Sequence, residues 1–272
     1  MTTSPTRLQR ASGECRVAFH LRDGATRLGD LYQRDPCRVL FPRSEPGEPP
    51  QAVLLTTSGG VTDGDTLGMA IEIGPGATAL ATSQAAEKVY RAAPGGGHCA
   101  IDVAVRVADG ASLEWLPQET ILFQGARLKR RTVAEVEAGG ALLACEMVVL
   151  GRAASGERFT SGLLLDSWSV RRTGRLVWTD ALRVEGETPH GAGFGSANAL
   201  ATVIGVWDGP QPFFERARGL LEAGGEAVQS GVTLVNGIMV ARLLGEATAV
   251  RTATTRFLTE FRGRRLPRVW HV

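Results

Sequence analysis

The chain has 272 residues, 43% of them apolar and 21% charged, with a formal net charge of +2. That length allows one large domain with a buried core, and the near-neutral balance gives no overall charge that would recruit nucleic acid or an anionic membrane. The start MTTSPTRLQR lacks the apolar centre of a signal peptide, and no run approaches the roughly 18 apolar residues of a membrane span. Four cysteines, at 15, 37, 99 and 145, form neither a CxxC pair nor a disulfide framework, which points to a reducing cytoplasm.

Residues 1–13 are polar and patternless and read as a frayed terminus, leaving 14–272 as one domain. Period-2 alternation then dominates to about residue 205. It is clearest in Met69-Ala70-Ile71-Glu72-Ile73, in 101–107 and in 132–137, each placing one set of side chains on a core face. Each run ends in a Gly-Ala pair (76–77, 110–111 and 140–141) followed by another apolar stretch, which predicts one hairpin used repeatedly and β layers stacked at a period near 30. The basic clusters Lys129-Arg130-Arg131 and Arg262–Arg268 read as solvated faces. Residues 42–50 and 186–198 are loops by their proline and glycine content. After Asp208-Gly209-Pro210, the residues Phe213, Phe214, Ala217, Leu220 and Leu221 fall at helical spacing, with Gly224-Gly225 at the end. Strands over 231–236 and 238–244 pair around Asn236-Gly237, a type I′ turn signal, and a second helix fits 252–262. The fold class is therefore mainly β: a single layered or stacked β domain with about two α-helices toward the C-terminus.

Catalytic and tight metal chemistry is hard to find. The histidines at 20, 98, 190 and 271 show no HxH or HxxxH spacing, and only His98-Cys99 joins a histidine to a thiol, so a fixed zinc or nickel site is not expected. Gly95-Gly96-Gly97 is not followed by Lys-Ser/Thr, and neither a GxSxG elbow nor a strand-borne GxGxxG occurs. An enzyme using Glu119, Glu146 or Asp180 as acid or base would lack a nucleophile–base–orienter set. Three polar constellations stand out instead: 56–66 (TTSGGVTDGDT), 83–91 (SQAAEKVYR) and 113–123 (LEWLPQETILF). In the last, Pro117 fits an edge or a break between strands.

At these segments the chain is similar to the UreD (UreH) family of urease accessory proteins. The resemblance is carried by Gly59-Gly60-Val61 with Gly64-Asp65, by Gln84–Arg91, by Leu113–Phe123 with Gly125-Ala126, by Glu146–Arg152 with Ser155-Gly156-Glu157, and by the ending Leu266-Pro267-Arg268-Val269-Trp270. One departure is Asp63 where the family usually has glycine. The turn remains feasible because aspartate tolerates the left-handed region better than most residues.

The resemblance implies a non-enzymatic scaffold that assembles with the accessory proteins UreF and UreG, docks on apo-urease, and passes Ni2+ in transit through an internal water-filled channel, with no tightly bound cofactor. On such a path Asp65 and Glu146 are the leading residues, Asp63 and Glu119 the secondary ones. Glu146 lies inside the apolar stretch 142–150, where a charge must be paired or face water. A buried ion pair with Arg152 or another arginine and a place on the ion path are both open. The stripe Phe213, Phe214, Leu220 and Leu221 either packs on the chain's own sheet or meets a partner. A scaffold with no ion-conducting role is the alternative function.

Overall fold

The computed structural model describes residues 9–45, 47–152, 155–186, 193–225 and 227–271. The hairpin β1 (Ser12–Arg22) and β2 (Ala25–Arg34) opens the chain, followed by β3 (Cys37–Leu40) and β4 (Gln51–Thr56). Then come β5 (Thr66–Ile73), β6 (Thr78–Ser83), β7 (Glu87–Val89), β8 (Cys99–Val107), β9 (Ser112–Trp115) and β10 (Thr120–Leu122). Next are β11 (Arg127–Val136), β12 (Ala141–Arg152), β13 (Glu157–Arg158) and the hairpin β14 (Leu163–Arg172) with β15 (Arg175–Glu185). The chain continues through β16 (Ala199–Val206), α1 (Gln211–Glu222), β17 (Gln229–Val235), β18 (Ile238–Gly245) and α2 (Ala247–Arg262). Of the glycine-rich loop expected at 186–198, residues 187–192 lie outside the described residues, as do 1–8 of the expected frayed terminus.

Two sheets stack face to face. One runs β15-β14-β11-β8-β5-β1-β2; the other runs β17-β18-β16-β12-β9-β6-β4-β3, with β7, β10 and β13 attached beside β12. The layered, mainly β reading therefore holds. The repeated hairpin does not. β5, β8 and β11 pair in parallel in the first sheet, while β6, β9 and β12 pair in parallel in the second, so each glycine turn carries the chain across to the opposite sheet. The turns stack on one another: Ser112 N–H donates to Ala77 C=O at 2.9 Å, and Ala141 N–H to Ala111 C=O at 2.8 Å. The residues that need glycine are Gly76, Gly110 and Gly139, with φ of 68°, 63° and 71° at the third turn position. The third turn is thus Gly139-Gly140, one residue ahead of the Gly140-Ala141 pair.

Inward-facing residues of both sheets, among them Phe19, Ile71, Val105, Leu113, Trp115, Leu142 and Trp168, form the main core. The outer face of the larger sheet is covered by the helices, through Leu143, Cys145, Val203 and Met239 against Phe257, Leu258 and Phe261. Residues 142–151 of β12 are consequently buried on both faces, which is why that strand reads as an almost unbroken apolar run. Asn236 and Gly237 take φ of 49° and 79°, the expected type I′ turn between β17 and β18. α2 starts five residues earlier than its periodicity predicts, because the Glu246 carboxylate caps it, accepting from the backbone N–H of Thr248 and Ala249. Among the described residues no helix is long and apolar enough to cross a membrane.

Candidate functional site: a polar cavity between the sheets

The alternation of β11 begins at Leu128, four residues ahead of the 132–137 run. Leu128, Arg130, Thr132, Ala134 and Val136 all point inward, so Arg130 is buried while Lys129 and Arg131 flank it outside. The solvated-face reading fails for Arg130. An interior guanidinium requires counter-charges, and two strands supply them. Asp166 of β14, paired with Arg130 across the parallel ladder, accepts from Nε at 2.9 Å and Nη2 at 2.6 Å. Glu146 of β12 reaches across from the facing sheet to 3.1 Å from Nη2. Thr120 Oγ1 accepts from Nη1 at 3.0 Å. Glu146, 4% exposed, also accepts from Thr132 Oγ1 at 2.8 Å and Trp168 Nε1 at 2.9 Å. The partner of Glu146 is therefore Arg130; Arg152 pairs with Glu157 instead.

Arg130 and Glu146 sit at the inner end of a cavity of about 320 Å³. Met69, Ile101 and Val103 of one sheet and Trp115 of the other wall it, and Thr56, Glu87, Gln118 and Thr120 bring polar groups to it. Its mouth lies between Gly59-Gly60 and the 83–88 segment. Gly60 has φ 141°, and a Cβ there would stand 2.6 Å from the Lys88 carbonyl oxygen, so only glycine lets the loop close against β7. Trp115 has a buried indole N–H with no hydrogen-bond partner in the protein. A buried donor of this kind is satisfied by water or a ligand.

Three ionisable groups share the inner cluster, one cation against two carboxylates, so the site carries an excess negative charge when all are ionised. Burial pushes the Glu146 carboxyl from its ordinary 4.5 up to about 7, with Arg130 opposing and Asp166 adding to the rise. Asp166 holds the guanidinium through two bonds, Glu146 through a single contact. Glu87 also rises to about 7 through burial, countered by a hydrogen bond from Thr56. Between 4.5 and 7 the folded protein thus binds more protons than the unfolded chain, and their contribution to stability is complete below 4.5 and lost as pH rises through 7. The unfolding free energy from urea titration should fall between pH 5 and 7.5, by on the order of 2–3 kcal/mol for Glu146. Glu146→Gln should flatten that profile; an equal slope in wild type and variant would remove Glu146 as its source.

The other expected site residues lie elsewhere. Asp65 accepts from the backbone N–H of Ala11 at 2.7 Å and Thr62 at 2.8 Å, tying the start of β1 to the 61–66 loop, and it does not line the cavity. Asp63 binds Arg10 at 2.9 Å; the Ala93 N–H, then the Thr62 hydroxyl and Arg10, hold its carboxyl below the ordinary value. Its backbone is not left-handed: Gly64, φ 83°, makes the turn, so the exchange for glycine at 63 costs no strain. Glu119 pairs with Arg251 of α2, while the adjacent Pro117, Gln118 and Thr120 face the cavity. Asp180 pairs with Arg242. Glu119, Glu146 and Asp180 thus occupy three separate places and make no common acid–base site. Among the described residues no group of three or more His, Cys, Asp or Glu side chains is placed to hold a metal ion. On α1, Leu220 and Leu221 pack against the core under the helices, whereas Phe213 is exposed, stacked on Trp207, and Phe214 is half-buried beside Arg218.

Two facing sheets enclosing a cavity lined by Glu87, Glu146, Lys88 and Arg130, with helices on one outer face, define a β scaffold with an internal polar chamber. The sequence profile described as UreD urease accessory protein matches residues 11–271. The chain is 41% identical to the urease accessory protein UreD of Magnetococcus marinus, over 97% of this chain and 95% of that protein. It is likewise 41% identical to UreD 2 of Methylorubrum populi (96% and 91% covered) and to UreD of Methylobacterium sp. strain 4-46 (99% of each). The chain belongs to the UreD family of urease accessory proteins.

Proposed function

We propose that this protein takes part in urease maturation as a nickel-handling scaffold, receiving Ni2+ within an assembly containing UreF and UreG and releasing it to apo-urease. The observation that carries this reading is the cavity lined by the two carboxylates Glu87 and Glu146. An ion in transit must be attracted and then let go. Dispersed carboxylates, hydroxyls and amides hold a borderline divalent ion more loosely than thiolates and imidazoles do. Glu87, Thr56, Gln118 and Glu146 provide such oxygens on the lining of one cavity. Asp65, Asp63 and Glu119, none of which lines the cavity, would serve that route only by shaping it. The test is co-expression of apo-urease with UreF and UreG, with and without this chain, at limiting nickel. Metal content of the purified urease should drop sharply when the chain is omitted, and equal nickel in both preparations would overturn the reading.

The exposed aromatic end of α1 fits the contact with UreF. Phe214 belongs to no buried cluster, so Phe214→Asp should leave the circular dichroism melt unchanged while weakening retention on immobilised UreF by roughly tenfold, the loss of an interface aromatic. Unaltered retention would place the UreF contact elsewhere.

A further inference from the structure

A second concavity, of about 890 Å³, lies on the surface where β3 and the 41–51 segment meet the C-terminal 265–269 segment. Its floor is apolar: Leu40 is 54% and Phe41 39% exposed, beside Leu266 and Val269. Its rim is basic. Arg43, Arg265 and Arg268 line it and have no carboxylate within ion-pair distance among the described residues. Their neighbours differ: Arg262 and Arg264 are neutralised by Glu48 and Glu114. Glu45 is the one uncommitted carboxylate on the same rim, so the groove keeps an excess of positive charge. Gln84 lines both this groove and the internal cavity, so the groove runs up to the cavity mouth.

Exposed apolar floor of this kind marks an interaction site, and arginines with phenylalanine are the residues that interfaces favour. We infer that the groove receives an extended segment of a partner protein in which apolar side chains are flanked by aspartates or glutamates. The apolar residues would cover Leu40 and Phe41, and the acids would neutralise Arg43, Arg265 and Arg268. That the partner comes from the urease maturation assembly rests on the function proposed above; the segment's chemistry does not. A segment seated there lies beside Gln84, which also lines the internal cavity.

The experiment places the photo-crosslinking residue p-benzoylphenylalanine at position 40 of the full chain, co-expressed with urease, UreF and UreG, and identifies the cross-linked peptide by mass spectrometry. One peptide from a partner, apolar and carrying aspartates or glutamates, is expected. Its yield should fall by roughly tenfold in Arg43→Glu/Arg265→Glu/Arg268→Glu, since rim charges govern encounter and its salt dependence. Should the triple variant melt abnormally, Arg43→Glu alone should still lower the yield measurably. A cross-link to another copy of this chain, a peptide without acidic residues, or a yield indifferent to charge reversal would each overturn the inference. So would the absence of any cross-link from position 40 in a complex that assembles normally. Failure of the wild-type chain to assemble with urease at all would instead overturn the maturation reading, and the assembly as source of the segment with it.

Discussion

Replacing Arg130 with methionine should lower the thermal midpoint by about 6–20 °C. The guanidinium is held between Asp166 and Glu146, and its removal leaves two carboxylates in the interior with no counter-charge. Breaking a buried pair from one side costs about 3–5 kcal/mol, and each kcal/mol shifts the midpoint of a protein of this size by roughly 2–4 °C. Glu146→Gln should be far milder. It leaves Arg130 paired with Asp166 as a neutral couple, and the amide oxygen can accept from Trp168 while its NH2 donates to the Thr132 hydroxyl. The asymmetry is the informative result, since two partners in a simple one-to-one pair would cost similar amounts. Differential scanning calorimetry of both variants at pH 7.5, where Glu146 is largely ionised, measures it. Equal destabilisation by the two substitutions would mean that Asp166 does not share the guanidinium.

Glu87→Gln combined with Glu146→Gln should abolish most nickel delivery to apo-urease at limiting metal while leaving the assembly intact. Both carboxylates line the cavity, one near its mouth segment and one at its inner end. Removing them takes away the charge that on the proposed function would draw a divalent ion inward, without enlarging the chamber or disturbing its apolar walls. Urease nickel content and pull-down with UreF are read on the same preparation. Lost nickel with normal pull-down supports transit through the cavity, and lost pull-down would show that the pair acts on assembly. Full nickel loading in the double variant would leave the scaffold without an ion-handling role. Asp65→Asn, on the same readouts, should weaken the tie between Ala11 and the 61–66 loop but spare delivery, because its carboxylate is committed to backbone N–H groups.

The family, the β layering and the local devices were legible in the sequence because they depend on neighbours along the chain. Alternation in 101–107, the Asn236-Gly237 reversal and the helical spacing of Phe213, Ala217, Leu220 and Leu221 are set by side-chain period and backbone sterics. Glu146 was visible as a charge in an apolar stretch, and the need for a partner followed from desolvation. Which arginine answers that need was decided only by tertiary structure. Arg130 occupies an inward slot of β11, but an isolated reading sees a charged residue beside two others and assigns all three to solvent. Its counter-charges come from β12 and β14, distant in sequence and brought together by parallel stacking and the facing sheet. The glycine turns show the same division. A positive φ at Gly76, Gly110 and Gly139 reverses the chain whatever follows, so the reversals were legible. Whether the next strand pairs with its predecessor or crosses to the other layer depends on which surface buries it. In this protein the surface is the equivalent strand of the neighbouring turn, and the space left between the two layers is the cavity.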